Sequence, residues 1–350
     1  MPITEKELYI NKMNKITLIV CILITLTSCM KKYEWMPTEC APKNYPVEIY
    51  KGEFYLDDAK TNSIYIPSGK VVNNSWGEGL STHISGDLEK QVPKHLRIAW
   101  FSYTENKFYL LDTPLPYKKI DSIFNKGSYN WTEKKQDYSF DLSVGMAPGG
   151  KLTLFMLAPG YNVNVASFLA EETNRISWIQ FLKMQGGNTD TKREELLKVV
   201  LDFELTPEFR EQIEETGIPY GLWDTYETKY TTQLKFKSPS RKLKYLITHH
   251  LNGELNTYRN QYLNTLQDKQ SWAGVHKIGL GWQSPEGEDY ASVFTFKKEQ
   301  VLNAYNETNT DNVSFVIDVI SENRDSVKIY IKSGEYQKLL IPTDTKFWKE

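Results

Sequence analysis

Cys29 is the side chain whose neighbours point most directly to a reaction. It closes Leu26-Thr27-Ser28-Cys29, behind an apolar run of 11 residues from Ile16 to Leu26 that follows Lys12 and Lys15. A basic start, an apolar stretch and small residues before a cysteine form a bacterial lipoprotein signal, cut by a peptidase ahead of the thiol that receives lipid. An uncleaved spanning anchor would need roughly 20 apolar residues. Residues 1–28 are therefore expected to be a signal peptide, with Cys29 lipidated and first in the mature chain. Met13 is the expected start of translation, because Glu5 and Glu7 are out of place ahead of such a segment. The lipid makes a membrane the first partner, and the non-acidic Met30 points, by analogy with enteric sorting, to the outer membrane, facing the periplasm or the cell surface.

The remaining reactive residue types do not assemble into a motif. His249 and His250 with Glu254 are the one His/carboxylate cluster worth testing for metal, yet adjacent side chains on a strand point to opposite faces and cannot share an ion easily. His83, His95 and His276 stand alone. Ala147-Pro148-Gly149-Gly150-Lys151 lacks the spacer and the Ser or Thr of a phosphate loop and runs into a strand, so a hairpin turn is expected there. No Gly-x-Ser-x-Gly accompanies Ser143 or Ser167. Asp112, Asp121, Asp202 and Asp224 are carboxylates without a readable partner. Cys21 leaves with the signal and Cys29 is consumed by lipid, which leaves Cys40 as an unpaired, idle thiol. The sequence assigns no catalytic residue, cofactor or metal ligand, and no enzymatic activity is expected.

Charge narrows the partners. The 350 residues carry 42 basic and 44 acidic side chains. Removing residues 1–28 takes Lys6, Lys12, Lys15, Glu5 and Glu7, and leaves about −3, which offers no electrostatic case for nucleic acid. Met30-Lys31-Lys32 opens a tether, expected over 29–44.

Beyond the tether, short alternating runs bounded by Gly, Pro, Asn or Asp read as strands: Glu48 to Leu56, Leu96 to Phe101, Lys107 to Leu111, Tyr138 to Val144, Leu152 to Leu157 and Tyr161 to Val165. In Tyr138 to Val144 the alternation predicts one buried and one wet face. A repeat aligns Trp100 with Trp282, then Phe140, Leu142 and Val144 with Phe315, Ile317 and Val319, and Leu152, Leu154 and Met156 with Val327, Ile329 and Ile331. Amphipathic helices are expected at Tyr117 to Phe124 and at Phe296 to Tyr305. The fold class is then α+β and β-rich. Two similar antiparallel-sheet units, 45–166 and 230–345, each carry a short helix and are joined by a helical insert, 167–229. Within the insert, helices are expected over Phe168 to Met184, over Glu194 to Val200, and from Thr206-Pro207 to near Gly217.

Two aromatic, glycine-rich segments make a candidate binding face: Trp76 in the first, and Tyr220, Trp223, Asp224 and Tyr226 in the second. Exposed Trp and Tyr are good interface anchors. The alternative for the same residues is core packing beside tight turns, since Trp is highly buried on average.

Tyr45-Pro46-Val47-Glu48-Ile49-Tyr50, Ile66-Pro67-Ser68-Gly69, Ser75-Trp76-Gly77, Lys107-Phe108-Tyr109, Val144-Gly145-Met146-Ala147-Pro148-Gly149-Gly150 and Trp223-Asp224-Thr225-Tyr226 together resemble a bacterial lipoprotein family, domain of unknown function 2931. The likeness covers about residues 30–235 and includes no catalytic signature. It implies an envelope lipoprotein. Some relatives lie beside type VI secretion effectors of the phospholipase kind, so it also implies an immunity protein whose partner is a secreted effector. The other readings are a structural or surface component of the envelope and, last, an enzyme.

Overall fold

The computed structural model describes residues 31–350 except 83–85, 239, 309, 311, 324 and 325. Residues 1–30, with the expected signal and Cys29, lie outside the described residues, as does His83. The fold is β-rich α+β.

The expected tether is instead strand β1 (Lys32–Cys40). Tyr33 and Trp35 are buried while Lys32 and Glu34 are exposed, so the stretch has the period of a strand with one face in a core. The next strands are β2 (Val47–Tyr55), the short β3 (Ser63–Tyr65), β4 (Val71–Val72) and β5 (Glu89–Gln91), then the hairpin β6 (His95–Ser102) and β7 (Lys107–Pro114). Helix α1 (Tyr117–Lys126) follows, burying Ile120 and Phe124 four residues apart on one face. After the small hairpin β8 (Ser128–Asn130) and β9 (Lys135–Asp137) come β10 (Phe140–Ala147), β11 (Lys151–Ala158) and β12 (Tyr161–Leu169), and β13 (Glu171–Glu172) pairs back onto β7. β1 lies parallel to β10, with Trp35 opposite Phe140, where an all-antiparallel unit was expected. A parallel partner needs a long crossover, which everything from β2 to β9 supplies.

The insert is helical, but α2 spans only Trp178–Met184, shorter than the expected Phe168 to Met184. Phe168 pairs with Leu152 in the ladder, and Ser177 starts the helix through a capping box with Gln180. Then come α3 (Arg193–Glu204), α4 (Pro207–Thr216), capped by Thr206, and α5 (Leu222–Tyr226).

The remaining strands are β14 (Lys229–Lys237), β15 (Lys242–His250), β16 (Leu255–Arg259), β17 (Gln270–Ala273), β18 (Val275–Gln283) and β19 (Asp289–Thr295). After α6 (Lys298–Asn306) the chain ends in β20 (Asn312–Val319), β21 (Val327–Ser333), β22 (Tyr336–Leu340) and β23 (Asp344–Lys349). β14 lies parallel to β20, as β1 does to β10. β2 and β6 pair Ile49 with Trp100 and bulge between Ile49 and Lys51; β15 and β18 pair Leu243 with Trp282 and bulge between Leu243 and Tyr245. Trp100 then faces Tyr109, rings 5.4 Å apart, and Trp282 faces Tyr290 at 6.1 Å. Val144 pairs with Leu154, whereas Val319 pairs with Val327, so the first of these hairpins is two residues longer and the expected match of Leu152 to Val327 slips by two.

β12 meets β16 through Tyr161 opposite Asn256, which joins strands from both halves of the chain into one ten-stranded sheet. The wet face expected on β10 is covered only in part: Asp141 is exposed as expected, whereas Ser143 is buried and its hydroxyl donates to the Glu78 carbonyl at 3.2 Å. The loop carrying Trp76 supplies that cover, and β11, buried on both faces, is apolar apart from Lys151 and Thr153. No helix among the described residues is long and apolar enough to cross a membrane.

Candidate binding cleft

The structure brings the candidate face together but turns most of it inward. Trp76, Trp223 and Tyr226 are buried in one apolar cluster with Cys40, Phe155, Leu251 and Val301. The Trp76 ring stands edge-on to Phe155 at 5.4 Å and lies 6.5 Å from Trp223, which meets Tyr45 edge-on at 5.0 Å. These three aromatics therefore pack the seam between the halves, and the exposed-anchor reading is corrected for them. Tyr220 and the Asp224 carboxylate do face solvent, at 59% and 66% exposure.

Asp224 has a structural partner. Lys151 Nζ donates to its carboxylate at 2.6 Å and to Glu227 at 3.0 Å, and Glu227 also accepts from the hydroxyls of Thr153 and Ser167. This polar cluster fastens the end of the insert to the turn before β11. In that turn Gly149 and Gly150 have φ of 80° and 74°, and the Gly149 amide donates to Glu105 Oε1 at 2.9 Å. A carboxylate thus occupies the place where a phosphate loop would receive its anion.

The other expected side chains are equally occupied. His250 Nδ1 donates to the Ala273 carbonyl at 2.9 Å, so Nε2 is the acceptor, toward Thr248 Oγ1 at 2.9 Å and the Asn256 amide at 3.3 Å. Burial holds His250 and His276 below the ordinary histidine value and takes His249 down to about 4. Glu254 accepts from Lys229 at 2.8 Å. His95 is tied to Asp112 on the surface. Among the described residues no three His, Cys, Asp or Glu side chains are grouped to hold a metal. Burial pushes the Cys40 thiol up to about 11, which keeps it protonated and unreactive.

A site that the sequence reading missed lies where β8, β12, β16 and the short 3₁₀ segment Asn260–Gln267 meet. It is a cleft of about 630 Å³, within the range of small-molecule sites. Half-buried rings of Tyr129, Trp131, Tyr161, Tyr258 and Tyr262 line it. Tyr129 and Trp131 lie 4.6 Å apart, and Tyr262 closes over them at 5.7 and 5.5 Å. Burial pushes the Tyr258 hydroxyl up to about 12 and raises that of Tyr161, so both stay protonated. Gln136 and Gln270 donate their amide nitrogens to the backbone at 2.9 and 2.6 Å, which leaves each Oε1 as the atom able to accept from a guest. The Ser128 hydroxyl beside them is buried without a partner. Among the described residues no carboxylate lines the cleft, and the one charged residue there is the exposed Lys126. The five rings come from three segments with no shared motif. Only the Tyr129-Asn130-Trp131 alternation was a local signal.

Fold and cleft define a β-rich α+β protein with an aromatic cleft of ligand size at the junction of its two halves. The chain matches, over residues 12–221, the family described as Protein of unknown function (DUF2931), and it belongs to that family. No match was found among curated proteins or solved structures.

Proposed function

We propose that this is a lipid-anchored protein of the cell envelope that binds a partner and does not transform it. The observation that carries this reading is the aromatic cleft, a concave site whose described lining is uncharged apart from Lys126 and pairs no nucleophile with a base. The lipid on Cys29, expected from the signal, would hold the site at a membrane and raise its effective concentration there.

A protein partner is favoured by a second feature. On α3 the inner Leu197 and Val200 are buried, while Val199 and Phe203, one turn apart, are 64% and 86% exposed. This exposed apolar pair is the anchor the proposal assigns to a partner. Here the proposal is immunity: the insert engages a secreted phospholipase effector. Affinity capture of the lipidated protein from envelope extracts tests it. A one-to-one complex with a secreted lipase supports immunity. Recovery of resident envelope components alone would favour the alternative, a structural or surface lipoprotein, and recovery of nothing would contradict binding altogether.

We also propose that the units 45–166 and 230–345 are copies of one ancestral unit. Support comes from the shared strand order, the parallel strand at the start of each (β1, just ahead of residue 45, and β14), the bulge beside each of Trp100 and Trp282, and the helix after each hairpin. In a crystal structure, superposing Trp282 on Trp100 should carry Phe315 onto Phe140; a different strand landing on β10 would reject duplication.

A further inference from the structure

We propose that the cleft lined by Trp131, Tyr161, Tyr258 and Tyr262 binds a neutral saccharide held at the membrane-proximal end of the protein. This rests on the reading of the chain as a lipid-anchored binding protein.

The lining selects the class. Aromatic faces suit flat, weakly polar surfaces such as the C–H faces of a pyranose, and Tyr hydroxyls at the ring tips add donors. Thr257, the Oε1 atoms of Gln136 and Gln270, and the Tyr161 and Tyr258 hydroxyls offer uncharged donors and acceptors around those rings. A sugar hydroxyl can both donate and accept, so it satisfies such a rim. An acyl chain would leave these polar groups unpaired, at a desolvation cost. Among the described residues a phosphate or carboxylate guest would find only Lys126 to neutralise it.

The position selects where the saccharide is met. Lys126 follows Asn125, whose side chain accepts from Lys31 Nζ at the start of the described chain. The Lys31 ammonium also lies 4.8 Å from the Tyr33 ring, and Tyr33 in turn bonds Asp121 of α1 at 2.8 Å. Cys29 is two residues before Lys31, a reach of roughly 7 Å in extended chain. The end of α1 that borders the cleft is therefore the end from which the lipid would emerge. Two sources present neutral sugars there: a glycolipid headgroup of the same membrane, or a soluble or polymeric glycan beside it.

The test uses the full mature chain, with and without its lipid. Saturation-transfer NMR and calorimetry with maltotriose and triacetylchitotriose report the soluble source. Co-sedimentation of the unlipidated chain with phosphatidylethanolamine vesicles, plain or carrying a neutral galactolipid, reports the other. Binding of either kind that falls about tenfold or more in Trp131→Ala, and is retained in Trp131→Phe, supports the inference; the melting temperature of each variant shows that it is folded. If the folded wild-type chain binds none of these probes, the saccharide assignment is overturned. In that case, capture of a protein partner from envelope extracts by the same preparation would leave the binding function standing, so the two failures are distinguishable.

Discussion

Gly77 and Gly253 press backbone against backbone across the seam between the two halves. Both have positive φ, 80° and 84°, and a Cβ on Gly253 would lie 2.9 Å from the Cα of Gly77. The contact lets the loop after Trp76 close over the sheet and bury that ring.

Gly77→Ala should therefore cost about 2–4 kcal/mol, combining a backbone clash with an unfavourable φ. Gly334, also at positive φ but with nothing within 4 Å, is the control; Gly334→Ala should cost only about 1–2 kcal/mol. Urea unfolding compares them, and equal costs would mean that the seam contact is dispensable.

Lys151 is 10% exposed and joins two carboxylates, one of them exposed. Lys151→Ala should cost about 1–3 kcal/mol because it strands Glu227 in a part-buried cluster. Asp224→Asn should cost under about 0.5 kcal/mol, since solvent screens that end of the pair. The reverse order in denaturant midpoints would contradict the fastening role of Lys151.

Stability should fall on acidification through the histidines. His249, His250 and His276 are held neutral by burial, so between the ordinary value and the folded value the unfolded chain binds more protons, and stability drops as pH falls. For His249 that window runs from 6.5 to about 4. Burial raises the carboxyls of Glu39 and Glu48, which act in the opposite sense and favour the fold at low pH. Melting temperature between pH 7 and pH 4 should thus decline less in His249→Gln than in wild type; an unchanged slope would refute the assignment to His249.

Native Cys40 should resist iodoacetamide at pH 8 and react once the chain is unfolded in urea, because burial keeps the thiol protonated. Labelling of the folded protein at the unfolded rate would show that the seam opens.

Phe203→Ser should leave the melting temperature nearly unchanged, since the ring is 86% exposed, yet weaken capture of a protein partner by about tenfold or more. A large loss of stability would mean that the ring packs, and undiminished capture would move the partner elsewhere.

Local signals carried much of the fold. Alternation located β2, β6 and β10, and Thr206-Pro207 with Gly217 bounded α4. What stayed hidden depends on distant pairing. β1 was read as tether because its partner β10 lies about a hundred residues away, and two lysines beside a lipid site look solvated. For Trp76, Trp223 and Tyr226 the sequence leaves exposure and core packing both open, because their glycines also suggest open turns; Gly77 permits the tight approach that buries the rings. The cleft was invisible for the same reason, since Trp131 and Tyr262 meet only after β12 has paired with β16.

Mass spectrometry of the protein extracted from its own membranes tests the central claim most directly. The expected species begins at Cys29 and carries a diacylglyceryl thioether. A chain retaining residues 13–28 with an unmodified Cys29 thiol would contradict it.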